Sequence, residues 1–432
     1  MAEAEILELF ELHYSDLKLL ASSSSSSKED VERLETIRAN IMESLGPRGP
    51  GLLSVTGVPK APILRRNLLP LGRNLALLNR DHRKRIFKEH NLGSDVPLKN
   101  PDRNVSSSAM QLRYEQGGEL DELLSSDQDL PDDEFKNLGS TFKQLGFCMM
   151  DLGLCLARIC DKAIGGQELE QSLLESCTAK GRLIHYHSIL DSIVLKKAGR
   201  KRGSLRRLAN RKKDQVEDTN VDLNGNEVGP FGNSNLWQQW HYDYGIFTVL
   251  TDPLFMLPSC SPENTEEEPY ALSCDQESPS PSGLTYLQIF DPSKSKVQMV
   301  KSSPESFIIQ VGESANILSK GKLRSTLHCV CRPAKFENLS RETFVVFLQP
   351  AWSKTFSMSD YSTDNLNLDG QRSGVPDDKN YIANQDGNRF IEEIHKIIPP
   401  LSLRLKDGMT FAEFSRETTK QYYGGGGLQS NR

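Results

Sequence analysis

The sequence predicts a mainly β core of the sandwich or jelly-roll kind, flanked by N-terminal and C-terminal helices. Two observations carry this. Between 236 and 350 the apolar residues fall in short runs, at 246–250, 284–290, 297–300, 306–311, 326–332 and 342–348. Turn residues such as Gly283, Asp291-Pro292, Gly312 and Gly321 separate several of them, and many short strands with such punctuation make two-sheet cores. Before that stretch the apolar period is near 3.6: Phe135, Leu138, Phe142, Leu145, Met149, Leu152 and Leu156 share one helical face.

Taken in order, the chain opens on MAEAEILELF, acidic from its third residue, which reads as neither a secretory signal nor an Arg-rich transit peptide. Six serines at 22–27 read as a flexible linker. Lys28-Glu29-Asp30 then opens an amphipathic helix to Leu45, with acids placed at its N-terminus. Gly46-Pro47-Arg48-Gly49-Pro50-Gly51 breaks the chain before a strand at 52–58. A long helical pattern covers 63–90, and 93–132 reads as polar and irregular. Residues 183–186 are β-like, 390–398 read as a late helix, and the glycines at 424–427 begin a frayed tail. The expected organisation is a mostly helical region at 1–180, a β-rich jelly-roll core at 181–355 with a basic insertion at 192–235 and an acidic one at 252–282, and a C-terminal helix and tail at 356–432.

Composition narrows the function classes. The longest apolar stretch, 145–160, is interrupted by Asp151 and Arg158, so no run approaches the roughly 20 residues of a membrane span. Eight cysteines with no CxxC pair and no signal read as free thiols in a reducing compartment, which predicts a cytoplasmic protein. Cys329 and Cys331 read as two thiols on one strand face. The net charge of −6 argues against nucleic acid as the main partner. It hides an asymmetry. Residues 196–213 carry ten Lys/Arg and no acid, whereas 252–282 carry seven Asp/Glu and no Lys or Arg. The basic run reads as a solvated loop. It also resembles a nuclear-localisation cluster, which makes the nucleus a second compartment, or it pairs with the acidic run as a salt-sensitive flap.

The chemistry-bearing segment is Trp237-Gln238-Gln239-Trp240-His241-Tyr242-Asp243-Tyr244-Gly245. In extended chain His241 and Asp243 point to one face. An imidazole and a carboxylate converging from one strand end are two-thirds of a facial triad, which holds Fe(II) on one side and leaves the other open. His328 follows in an apolar, β-like stretch. Arg341 comes 13 residues later, with Thr343 on the same face of the next strand. A guanidinium beside a hydroxyl is a good receptor for a carboxylate. His185 and His187 flank Tyr186 and face away from it, as packing or pocket residues. Trp237 and Trp240 read as core or pocket wall.

The order His-x-Asp, distant His, Arg-x-Thr resembles the plant-type 2-oxoglutarate- and Fe(II)-dependent oxygenases, the isopenicillin N synthase-like superfamily. The segment Val311-Gly312-Glu313-Ser314-Ala315-Asn316-Ile317-Leu318-Ser319-Lys320-Gly321 is similar to that family's Gly-Asp…Leu-Ser-Asn-Gly stretch. The likeness covers roughly 180–355. It departs at Tyr242, where Thr is commoner, and at Ile184-His185-Tyr186-His187-Ser188, which stands for Asn-Tyr-Tyr-Pro. The His241–His328 spacing of 87 is lengthened by the acidic insertion. The resemblance implies a double-stranded β-helix, and Fe(II) on His241, Asp243 and His328. It also implies 2-oxoglutarate held by Arg341, Thr343 and Tyr186, with O2 and a small organic molecule as the other substrates. A catalytically silent jelly-roll binding protein is the alternative. An oxygenase acting on nucleic acid or protein rests only on the basic run.

Overall fold

A computed structural model describes residues 5–22, 28–94, 96, 98, 103–113, 134–197, 236–257, 276–357, 392–396 and 398–424. Most of the serine run, most of the basic run, the centre of the acidic insertion and the glycine tail after Gly424 lie outside the described residues, and with them the flap and nuclear-localisation readings.

In chain order the strands are β1 (Glu5–Glu8), β2 (Glu11–His13), β3 (Leu52–Thr56), β4 (Val105–Arg113), β5 (Thr178–Tyr186), β6 (Leu236–His241), β7 (Phe247–Thr251), β8 (Leu254–Leu257), β9 (Gln276–Ser278), β10 (Leu287–Asp291), β11 (Lys296–Lys301), β12 (Phe307–Val311), β13 (His328–Cys331) and β14 (Ser340–Leu348). The helices are α1 (Tyr14–Ala21), α2 (Lys28–Leu45), α3 (Ala61–Leu68), α4 (Pro70–Leu77), α5 (Arg80–Glu89), α6 (Leu138–Ile164), α7 (Glu168–Ser176), α8 (Glu313–Leu318), α9 (Leu401–Arg404) and α10 (Phe411–Gly424).

The strands form two mixed sheets. The smaller runs β1-β11-β10-β13-β6, and the larger runs β2-β3-β12-β7-β14-β5-β4 with β8 and β9 extending from β14. Between β5 and β14 the chain changes sheet at each connection except the β10–β11 hairpin and the β7–β8–β9 run. The ladders joining β5, β14, β7 and β12, and those joining β6, β13, β10 and β11, are all antiparallel. Alternation along the strands gives each sheet two faces. Ile184, Trp237, Ile289, Val300, Ile308 and Val345 meet between the sheets. On the other face of the larger sheet, Phe247, Val249, Ile309, Phe344 and Val346 meet the helices. Phe142 of α6 packs edge-on against Phe344, with ring centroids 4.7 Å apart. Gly153 lets α6 approach so closely that a Cβ there would overlap the Leu348 side chain. Ile394 and Ile398 cover the outer face of the smaller sheet at Trp240, Phe290 and Cys329.

The expectation of a mainly β molecule is corrected: helices hold more of the described residues than strands do. The cause is the larger sheet, which is apolar on both faces and needs a helical layer over its outer one. Two local readings also change. The pattern at 63–90 is three helices. Pro70 starts the second, and the Asn79 side chain caps the third by accepting from the His82 N–H at 2.9 Å. Within the polar 93–132 stretch lies β4, held by a nine-residue ladder to β5 and by Met110 and Leu112, which are buried in the core. Helix α2 has the bounds its composition predicts. The described cysteines, Cys329 and Cys331 among them, are free. Among the described residues no helix is long and apolar enough to cross a membrane.

Candidate metal centre

Strand β6 ends at His241 and β13 begins at His328, and the two residues are direct partners in the antiparallel ladder. Opposed residues share a face, so both imidazoles project inward, with ring centroids 4.1 Å apart. Asp243 lies two residues past His241, on the link that carries the chain to β7. Its Oδ1 is 3.8 Å from His241 Nε2, and its Oδ2 is 3.8 Å from His328 Nε2. One ligand atom from each of the three lies within 4.8 Å of the others.

The groups around the triad set its chemistry. His241 Nδ1–H donates to the Gln239 carbonyl at 2.8 Å, and His328 Nδ1–H to the Thr326 carbonyl at 2.9 Å. Both imidazoles therefore turn Nε2 toward Asp243. Thr248 on β7 donates its hydroxyl to Asp243 Oδ2 at 2.6 Å. Burial first, and the neighbouring His328 second, hold His241 down to about 3, so its ring is neutral at physiological pH. The carbonyl of Asp243 accepts the Glu313 N–H at 2.8 Å. Gly312 permits that approach, since a Cβ there would overlap the Gly245 carbonyl oxygen.

Arg341 and Thr343 lie on the inward face of β14, and Arg341 is the ladder partner of Tyr186 on β5. The Arg341 guanidinium sits 5.1 Å over the Tyr186 ring. Its Nε donates to the Thr285 carbonyl at 3.0 Å, while its Nη1 is buried without a hydrogen-bond partner. Thr343 Oγ1 makes only long contacts, 3.4 Å to the Thr251 carbonyl and hydroxyl. Tyr186 donates to Gln238 Oε1 at 2.9 Å, and the Gln238 amide donates to His241 Nε2 at 2.9 Å. A continuous relay thus links the guanidinium to the triad. A buried guanidinium with an open N–H fits a carboxylate, and two imidazoles with one carboxylate fit a divalent metal that prefers mixed N/O donors.

His185 and His187 point away from Tyr186, as expected. His185 pairs with Glu342 at 2.8 Å, and His187 with Ser106 at 2.9 Å. Trp237 packs at a tilt against Tyr186 with centroids 5.7 Å apart, and its Nε1–H donates to the His187 carbonyl at 2.8 Å. Sequence reasoning missed Gln238, Thr248 and Glu313. Gln238, three residues before His241, had a local signal; Thr248 and Glu313 act through pairings that only the fold creates. Further polar groups line the space between the sheets. Gln310 is the ladder neighbour of Thr248, and Gln310 (both amide atoms), Gln298 Oε1 and Ser54 Oγ are buried without partners.

No family model matches the chain, and a search of curated proteins finds no match. Among solved structures it is similar to a full-length Neurospora crassa protein in complex with alpha-KG, at 13% identity and a TM-score of 0.49, over 91% of this chain and 98% of that one. It is also similar to the rice dioxygenase for auxin oxidation, at 16% identity and 0.45, over 82% and 87%. A third is JOX2 in complex with 2OG, Fe and JA, at 14% identity and 0.41, over 84% and 82%.

Proposed function

We propose that this protein is an Fe(II)- and 2-oxoglutarate-dependent oxygenase that oxidises a small organic substrate, with release of succinate and CO2. The observation that carries the reading is the convergence of His241 Nε2, His328 Nε2 and an Asp243 carboxylate oxygen on one buried point. In this reading the eight strands β5–β7 and β10–β14 form a double-stranded β-helix, and 181–355 is its catalytic core. His241, Asp243 and His328 would hold Fe(II) through two imidazole nitrogens and one carboxylate oxygen. Arg341 Nη1 and Thr343 Oγ1 bind the distal carboxylate of 2-oxoglutarate, and Tyr186 forms the wall beneath the guanidinium. Together, Fe(II), 2-oxoglutarate and O2 supply the oxidising chemistry. The chain's own contribution is to orient these groups and exclude water. The open polar atoms of Gln310, Gln298 and Ser54 support a substrate that both donates and accepts hydrogen bonds.

The Gln238 amide engages the His241 lone pair that a metal would use. That contact favours the second reading, a catalytically silent binding protein of the same fold. One experiment separates them. Anaerobic addition of Fe(II) and 2-oxoglutarate is expected to produce a visible charge-transfer band that His241→Ala abolishes, and aerobic turnover to release succinate. A chain showing neither band nor succinate is the silent protein.

A further inference from the structure

The loop that carries Asp243 is held from outside the two sheets. The backbone N–H of Glu313 donates to the Asp243 carbonyl at 2.8 Å, that of Ser314 to Gly245 at 3.0 Å, and that of Gly312 to Ile246 at 2.9 Å. The Ser314 hydroxyl adds a bond to the Tyr244 carbonyl at 2.6 Å. The first turn of α8 is thus a template on which the ligand loop is moulded. That turn is fixed in its own right. The Glu313 carboxylate is 1% exposed and forms a two-pronged pair with Arg404 of α9, also 1% exposed: Nη1 to Oε2 at 2.8 Å, and Nη2 to Oε1. Arg404 is held by the Pro399 carbonyl at 2.7 Å, by the Thr418 hydroxyl of α10 at 3.0 Å, and by the Phe414 ring at 5.8 Å. The same C-terminal segment reaches the loop directly, with the Phe411 ring 6.0 Å from that of Tyr244, the residue after Asp243.

We infer that Arg404 and Glu313 are positioning residues of the metal centre, so that the C-terminal 401–424 segment sets metal affinity as well as closing the fold. A buried ion pair is costly to desolvate and is often replaceable by apolar residues without loss of stability. Here its paired geometry fixes the one turn whose amides shape the ligand loop. Groups that orient a ligand from behind commonly change metal affinity 10- to 100-fold when removed. The inference rests on the reading of the triad as a metal site, and its test tells the two failures apart.

The test is a visible-absorption titration of the metal-free full chain with Co(II), alongside thermal unfolding. Arg404→Met and Glu313→Gln alone each leave one buried partner uncompensated and are expected to lower both Tm and Co(II) affinity. The double variant removes both charges. It is expected to recover most of the Tm while keeping a Co(II) Kd roughly 10-fold or more above the parent. Arg404→Lys, which keeps the charge and loses the fork, is the second probe should the double variant not fold, with the same direction expected. A folded double variant, or a folded Arg404→Lys, that binds Co(II) within about twofold of the parent overturns the inference. A parent chain that takes up no Co(II) overturns the metal reading beneath it.

Discussion

Arg341 and Gln238 separate the two jobs of the site. Arg341 is buried and stacked, with one N–H open, so its removal takes away a charge-assisted contact and leaves the shape of the pocket. Losing such a buried partner for a carboxylate costs about 2–5 kcal/mol. Arg341→Met should therefore raise the 2-oxoglutarate Kd roughly 30-fold or more, while Co(II) alone binds as in the parent. An unchanged 2-oxoglutarate titration would remove Arg341 from the role. Gln238 makes the opposite case. Its amide competes with a metal for His241 Nε2, and an ordinary hydrogen bond is worth about 1 kcal/mol net. Gln238→Leu should tighten Co(II) binding several-fold, and weaker binding would show instead that the amide is needed to aim the ring.

At the scale of the element, β14 is a strand with two chemistries. Arg341, Thr343 and Val345 face the space between the sheets; Glu342, Phe344 and Val346 face the helices. Behind Arg341 lies a buried charge cluster. Glu342 pairs with His185, its ladder partner, and with Ser340 at 2.8 Å, while Asp191 lies 3.5 Å from His185 and pairs with Arg73 at 2.8 Å. Burial alone would lower the His185 pKa, but the Glu342 and Asp191 carboxylates outweigh it and push it up to about 9. Burial pushes the Glu342 carboxyl up, and the facing His185 imidazole opposes that shift. A folded pKa above the unfolded value of about 6.5 adds stability that is complete below pH about 6.5 and is lost as pH rises through about 9. The Tm of the parent should fall across that window, and His185→Gln should flatten the slope; an equally steep fall in the variant would place the titration elsewhere. This cluster was not legible in the sequence, because Arg73, His185, Asp191 and Glu342 are brought together by ladders and a helix, not by spacing. The His-x-Asp segment was legible, because two residues of one extended strand end share a face wherever that strand goes. That Arg341 and Thr343 share a face was legible for the same reason, although that the face points inward was not. The register that sets His328 opposite His241 was not, since it depends on strands 87 residues apart.

For the molecule as a whole, the triad sits where the two sheets are joined. His241 and His328 belong to the smaller sheet, and Asp243 lies on the link to β7 of the larger one, tied to it by Thr248. An ion held by all three, as proposed, would tie the two layers together in the folded chain, and the unfolded chain presents no such arrangement. Binding to the folded state alone stabilises it by about 2.7 kcal/mol at a ligand concentration 100 times Kd. For a chain of this size that corresponds to a rise in Tm of roughly 3 °C. Co(II) should therefore raise the Tm, 2-oxoglutarate should raise it further only when the metal is present, and a chelator should reverse both. Asp243→Ala removes the carboxylate proposed to join the two sheets through the ion, and should abolish the shift while leaving the metal-free Tm close to that of the parent. A metal-dependent rise that survives in Asp243→Ala would place the ion elsewhere, and with it the link between the layers.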